Sequence, residues 1–207
     1  MSLKFGGVRK AKQGDVDAIV SIHQSAFKGF FLTSLGEGFL SVYYSCFIKS
    51  GDTVLLCAEE DGKLLGFSAA TRVCKGFNGR LIKDNALRFM MVGLHLLFTN
   101  PAALVRLVKN FTKKSDEVED DENYGELYSI GVSAEAQGKG VGKALLAETE
   151  KQMGIEKLSL TTDYYDNEST IAFYKKCGYE VLYEFTAYPN RRMLRMIKCL
   201  ALKKVGL

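Results

Sequence analysis

The final eighty residues constrain the fold most, because short β-rich runs alternate there with stretches of helical spacing. Glu126–Val132, Leu158–Thr162, Glu180–Tyr188 and Met193–Leu200 read as strands, and Gly138–Met153 and Ser169–Cys177 read as helices. Strands that alternate with helices require an α/β sheet with crossover connections. Upstream, Thr53–Glu59 and Lys63–Ala70 are two further β-rich runs joined around Asp61-Gly62. Asp-Gly supplies the positive φ angles of a type I′ turn, so these runs form an antiparallel hairpin and the sheet is mixed.

The remainder is organised around that sheet. Val8–Ala11 reads as a short strand, and Asp15–Phe27 as a helix carrying Val16, Ile19, Val20, Ile22 and Ala26 at helical spacing. A Gly- and Phe-rich connection, GFFLTSLGEG, leads to a second helix over Glu37–Lys49. Residues 74–124 form a helical insertion, with helices over Ile82–Phe98 and Ala102–Phe111 broken at Asn100-Pro101. Proline disfavours the α conformation in the residue before it, which makes that dipeptide a boundary.

Within the insertion, Leu87, Met90, Met91, Leu94 and Leu97 recur at helical spacing beside Arg88, Arg106, Lys109, Lys113 and Lys114. Core packing or a lid is the plain reading; a homodimer contact and an anionic membrane surface are the others. His95 reads as a packed histidine, and His23 as part of the first helix with no special role. No internal repeat or low-complexity linker divides the 207 residues, so a single domain over 1–207 is expected.

Composition excludes several classes. With 28 Lys+Arg against 24 Asp+Glu, the net charge of +4 is too mild to call for a nucleic-acid partner. Six of the seven residues Asp116–Glu122 are acidic and read as a solvated loop. The last twenty residues hold Arg191, Arg192, Arg195, Lys198, Lys203 and Lys204 and no acid, which suits an anionic ligand or a solvated strand edge. The five cysteines form no CxxC pair and no cluster with the two histidines, so inert core thiols and no metal are expected. The N-terminus lacks the apolar stretch of a signal peptide, which points to the cytoplasm. Ala86–Phe98 is the longest apolar run, but its thirteen residues contain Arg88 and His95. A membrane span needs about 20 apolar residues, so none is expected.

Two segments carry chemistry. Gln137-Gly138-Lys139-Gly140-Val141-Gly142 follows a strand and opens a helix. Its glycines let the backbone turn tightly and leave N–H groups uncovered at a helix N-terminus, where they and the macrodipole favour a pyrophosphate. Lys139 and Lys143 add positive charge. The spacing matches neither a Walker loop nor a dinucleotide fingerprint, and a glycine-rich turn also serves as a plain connection. Downstream, Asn167 is placed to start a helix that Gly178 ends. Asn167 and Tyr174 are seven residues apart and share a helix face, which a capped helix with a core tyrosine would equally explain.

Together these segments resemble the GCN5-related N-acetyltransferase (GNAT) superfamily. Gln137, Gly140 and Gly142 match its Q/R-x-x-G-x-G/A loop. Asn167, Ala172, Phe173, Tyr174, Lys176, Gly178 and Tyr179 match its later motif, and the Asp61-Gly62 hairpin sits at its second and third strands. The resemblance covers residues 8–199, with 74–124 longer than the family usually needs and Ala134 where proline is frequent.

The resemblance implies a GNAT (acyl-CoA N-acyltransferase) fold and acetyl transfer from acetyl-CoA, without a metal, to a primary amine. The acceptor implied is a small molecule, with a nucleotide-linked amino sugar as one guess. A protein lysine or N-terminus and a non-catalytic acyl-CoA-binding module are the alternatives. Acetyl-CoA would lie in a splay between the strands at 126–132 and 158–162. Its pyrophosphate would meet the amides of Gly138–Lys143, including Val141, and its arm the backbone of Ile130 and Val132. The Val132 N–H would also polarise the thioester. Asn167 would contact the cofactor arm, Tyr174 would be the acid, and Glu126 the base, unless it is a solvated strand-start carboxylate. Phe30, Phe31, the insertion and Tyr183–Tyr188 would frame the acceptor pocket.

Overall fold

The computed structural model describes residues 6–112 and 120–200. Its strands are β1 (Val8–Lys10), β2 (Thr53–Glu60), β3 (Lys63–Thr71), β4 (Gly125–Val132), β5 (Lys157–Asp163), β6 (Glu180–Ala187) and β7 (Arg191–Cys199). They form a seven-stranded sheet in the order β1-β2-β3-β4-β5-β7-β6. Among the described residues β4–β5 is the one parallel pair, and every other neighbour is antiparallel. The β2–β3 turn is of the expected kind, with Asp61 at φ 49° and Gly62 at φ 77°.

Among the described residues eight α-helices accompany the sheet: α1 (Val16–Ala26), α2 (Phe31–Ser34), α3 (Gly36–Lys49), α4 (Phe77–Asp84), α5 (Ala86–Thr99), α6 (Pro101–Thr112), α7 (Val141–Met153) and α8 (Glu168–Lys176). Because side chains alternate along a strand, β2 sends Leu55 and Cys57 to one face and Val54, Leu56 and Ala58 to the other. The first face packs α1, α3 and the insertion helices; the second packs α7 and α8. Both faces are thus covered, as a sheet with a parallel core pair requires.

The helices depart from the sequence reading in four places. The connection after α1 contains the short α2. The run read as one helix over Ile82–Phe98 is two, α4 and α5, separated at Asn85 (φ −124°, ψ 30°). The Asn85 side chain donates to the Leu81 carbonyl at 3.0 Å, the kind of local bond by which asparagine competes with a continuing helix. The helix read from Gly138 begins at Val141, because Gly138 and Gly140 lie in the left-handed region at φ 73° and 83°. In α5 the apolar face read as core packing or a lid does not pack in the core: Leu87, Met90, Met91, Leu94 and Leu97 face solvent, and Phe89, Val92 and Leu96 pack inward instead. His95 is likewise exposed, not packed.

The site is made by one irregularity in β4. Ala69 pairs with Ser129 and Ala70 with Leu127, so Tyr128 is an extra residue on β4. Such a bulge bends its strand. The β4–β5 ladder stops at the same point: Gly125, Glu126 and Leu127 pair with Leu158, Ser159 and Leu160, and the strands diverge beyond.

Candidate active site

The divergence opens a cavity of about 810 Å³ between β4 and β5. Ile130, Val132, Gln137, Gly138, Gly142, Asn167 and Tyr174 all line it, so seven of the residues singled out in the sequence come together. Ser133 N–H donates to the Leu65 carbonyl at 2.8 Å on β3. Alternation along an antiparallel ladder then turns the N–H groups of Ile130 and Val132 away from β3, toward the opening.

At one end of the cavity, Gly140 caps α7 in a left-handed conformation that disfavours any residue with a Cβ. The first bond of that helix runs from Ala144 N–H to the Gly140 carbonyl at 3.0 Å. The N–H groups of Val141, Gly142 and Lys143 precede it and have no place in the helical ladder. Lys139, Gly140, Val141 and Lys143 do not line this cavity. The turn's contribution there is therefore backbone and dipole.

Asn167 starts α8 at its N-cap position as expected, but its side chain makes no capping bond. Its Nδ2 donates to Thr162 Oγ1 at 2.6 Å and to the Asp163 carbonyl at 3.1 Å, tying the end of β5 to the start of α8. Seven residues on, Tyr174 is buried, and burial pushes its phenol well above the usual tyrosine range. It enters the cavity protonated.

Glu126 is not the solvated carboxylate of one sequence reading. It is buried in an ion pair with Arg195, and Oε2 accepts from the Cys74 thiol at 3.1 Å while Oε1 accepts from Thr161 at 3.4 Å. It lines an adjoining chamber of about 590 Å³ beneath the insertion, not the main cavity. The chamber wall includes Phe39, Tyr43, Phe77, Phe89 and Leu107, and it shares Phe31, Leu32 and Tyr128 with the main cavity. Phe30 and Phe31 thus stand beside the site as expected, whereas Tyr183–Tyr188 lines neither space.

The basic C-terminal segment is committed to internal partners. Arg191 pairs with Asp163, Arg192 with Glu184, Arg195 with Glu126 and Lys198 with Glu150. Lys203 and Lys204 lie outside the described residues, as do Lys113, Lys114 and the first part of the acidic run. The described part of that run is not simply solvated, since Asp120 accepts from the hydroxyls of Tyr124 and Tyr183. All five cysteines are free, and burial pushes the Cys46, Cys57 and Cys74 thiols up, which keeps them inert.

His23 lines the main cavity, and the sequence reading passed it over. Its ring is buried, with Nδ1 2.7 Å from the Tyr44 hydroxyl. A signal was present: His23 lies four residues after Ile19 and three after Val20, on the buried face of α1.

The sequence pattern of the acetyltransferase (GNAT) family matches residues 17–179, which contain β2–β5, the glycine turn and α8. The chain belongs to that family. Its GNAT fold is shared with solved structures. A histone acetyltransferase and related acetyltransferase from Corynebacterium glutamicum superposes with a TM-score of 0.62 at 20% identity, covering 96% of this chain and 98% of that one. A ribosomal-protein-alanine N-acetyltransferase from Brucella melitensis gives 0.60 at 17% identity, covering 93% and 99%. The PaiA N-acetyltransferase of Thermoplasma acidophilum, solved in complex with coenzyme A, gives 0.57 at 18%, covering 93% and 97%. Among curated proteins, the mycothiol acetyltransferase of Paenarthrobacter aurescens (strain TC1) is 43% identical over 58 residues, 27% of this chain and 18% of that protein. That of Propionibacterium freudenreichii is 33% identical over 89 residues, 42% of this chain and 28% of that protein. This GNAT chain therefore matches less than a third of the length of those relatives. No helix among its described residues is long and apolar enough to cross a membrane.

Proposed function

We propose that the protein moves an acetyl group from acetyl-CoA to the primary amine of a small molecule. The observation that carries this is the single cavity lined by three groups at once. These are the β4 backbone beyond Tyr128, the turn before α7, and Tyr174. In this reading the free amides of Val141, Gly142 and Lys143 hold the pyrophosphate, and Ile130 and Val132 bond the pantetheine arm. The Val132 N–H meets the thioester oxygen, where negative charge grows as the amine attacks. Asn167 holds the wall against which the arm lies.

Tyr174 donates to the departing sulfur. A thiol has a pKa of about 8.5 and a phenol about 10, so donation is favoured only where the thiolate is also desolvated. Burial keeps the Tyr174 phenol protonated, so its proton is available as the C–S bond breaks. A small acceptor is supported by the relatives named for acetylation of mycothiol and by the chamber beside the site. The chamber's phenyl rings and leucines favour an acceptor with an apolar or aromatic body over a nucleotide-linked amino sugar. Five free thiols suit a reducing, cytoplasmic setting.

The test is a panel of primary amines with acetyl-CoA, read by release of CoA thiol. Amine-dependent release is expected, greatest for amines with apolar bodies. Tight CoA binding with no release from any amine would replace this reading with a non-catalytic acyl-CoA-binding module.

A further inference from the structure

His23 Nε2 is a buried nitrogen without a hydrogen-bond partner among the described residues. A buried nitrogen left unpaired forfeits its hydration without recompense, so its retention in the wall of the main cavity needs a reason. The ring is held firmly. Phe27 of its own helix packs at 4.8 Å between centroids, and Phe67 of β3 stacks at 6.3 Å. Tyr44 of α3 is the titratable group that faces it, and Tyr44 is in turn hydrogen-bonded to Ser129 of β4. Nδ1 and the Tyr44 hydroxyl share a hydrogen bond, and in the tautomer with the proton on Nδ1 the Nε2 nitrogen carries a lone pair.

We propose that His23 is a catalytic residue whose Nε2 accepts the proton that the acceptor amine sheds as it attacks the thioester. This rests on the acetyl-transfer reading above. Glu126, the other base considered, is engaged by Arg195, Thr161 and Cys74 and does not line the main cavity. His23 does, and it stands on the opposite side of the sheet from Tyr174. Its neighbours Phe27, Tyr44 and Phe67 belong to the core under α1 and α3, and Tyr174 belongs to the core under α7 and α8. The amine thus approaches from the α1 side while the sulfur departs toward α8.

In the step, the amine nitrogen forms the C–N bond and becomes cationic, and its proton passes to Nε2. The C–S bond then breaks, its electron pair goes to sulfur, and the phenol of Tyr174 donates to the thiolate. Amine and thioester become amide and thiol, and the imidazolium's proton passes through solvent to the Tyr174 phenolate, which restores both groups. Burial lowers the imidazole pKa to about 4, so the ring is neutral at neutral pH.

Two measurements test this. The chain has two histidines, so nitrogen NMR of labelled histidine gives two imidazoles, which a His95→Gln variant assigns. His23 is expected to stay neutral between about pH 5 and 8. Its Nε2 resonance should move when the best-turned-over amine joins acetyl-CoA, more than with acetyl-CoA alone. An Nε2 indifferent to the amine overturns the proposal.

In the second, His23→Gln should lower kcat about a hundredfold. CoA affinity and melting temperature should stay unchanged, and added imidazole should restore part of the rate to His23→Gly. Undiminished kcat in His23→Gln overturns the proposal. A loss confined to melting temperature, without imidazole rescue of His23→Gly, does the same. Wild-type protein that releases no CoA with any amine instead retires amine acetylation itself, and His23 as its base with it.

Discussion

The carboxylate of Glu126 and the guanidinium of Arg195 form a buried ion pair that joins β4 to β7 across the intervening β5. Removing one member leaves the other charged and uncompensated, which costs about 3–5 kcal/mol in comparable sites. Glu126→Gln is therefore expected to lower unfolding free energy by several kcal/mol in urea titrations. Adding Arg195→Met should recover most of it, because the pair is then removed as a unit.

Tyr174→Phe should reduce kcat by at least about a hundredfold while the acetyl-CoA KM changes little, as removal of a group that acts as the sulfur departs requires. Steady-state kinetics with one accepted amine decides it. A full rate in the variant would assign the proton donor elsewhere.

Gly140 holds φ 83° at the start of α7. A residue with a Cβ is strained there by about 1–2 kcal/mol, and a shifted turn would misplace the amides that follow. Gly140→Ala is expected to lose that much stability and to raise the CoA dissociation constant by about tenfold. Calorimetric titration of CoA reads the second effect directly.

Burial lowers His23 from its ordinary value to a pKa of about 4. The unfolded chain then binds a proton that the folded chain refuses. Stability from this group is complete above about pH 6.5, falls as pH drops toward 4, and is flat below. The fall integrates to about 3 kcal/mol. The difference between wild-type and His23→Gln denaturation curves across that window isolates it.

Charge placed on the outer face of α5, as in Met91→Glu, should leave stability within about 0.5 kcal/mol of wild type. Leu96→Ala, on the inner face, should cost about 2–5 kcal/mol. Thermal melts of the two variants distinguish the faces.

What the sequence made legible follows from where each cause resides. The Asp61-Gly62 turn, the glycine turn before α7 and the alternation of β5, α8 and β6 depend on local rules, and they stand where the pattern puts them. Gln137, Gly142, Asn167 and Tyr174 meet in one cavity because fixed spacing on consecutive elements carries them there. The partners of Glu126 and of the C-terminal arginines lie far along the chain, so a basic segment that reads as a ligand surface is internally neutralised. The inward face of α5 turns on a break at Asn85 that an apolar count does not see, because both of its faces are apolar. His23 shows the same limit: its helix face is readable, but the cavity beside it exists only because β4 bulges at Tyr128.

That bulge leaves an internal seam. β4 and β5 are laced together over three residue pairs, whereas each is bonded to its outer neighbour for most of its length. The sheet is mechanically two plates on a short hinge, β1–β4 on one side and β5–β7 on the other. Backbone groups that would normally be sealed inside a sheet are kept open at its middle, sheltered from the edge pairing that makes exposed strands stick to one another. An extended molecule laid along Ile130 and Val132 would act as a splint between the plates. Amide exchange should then slow along the facing stretches of both strands at once, including residues the molecule never touches.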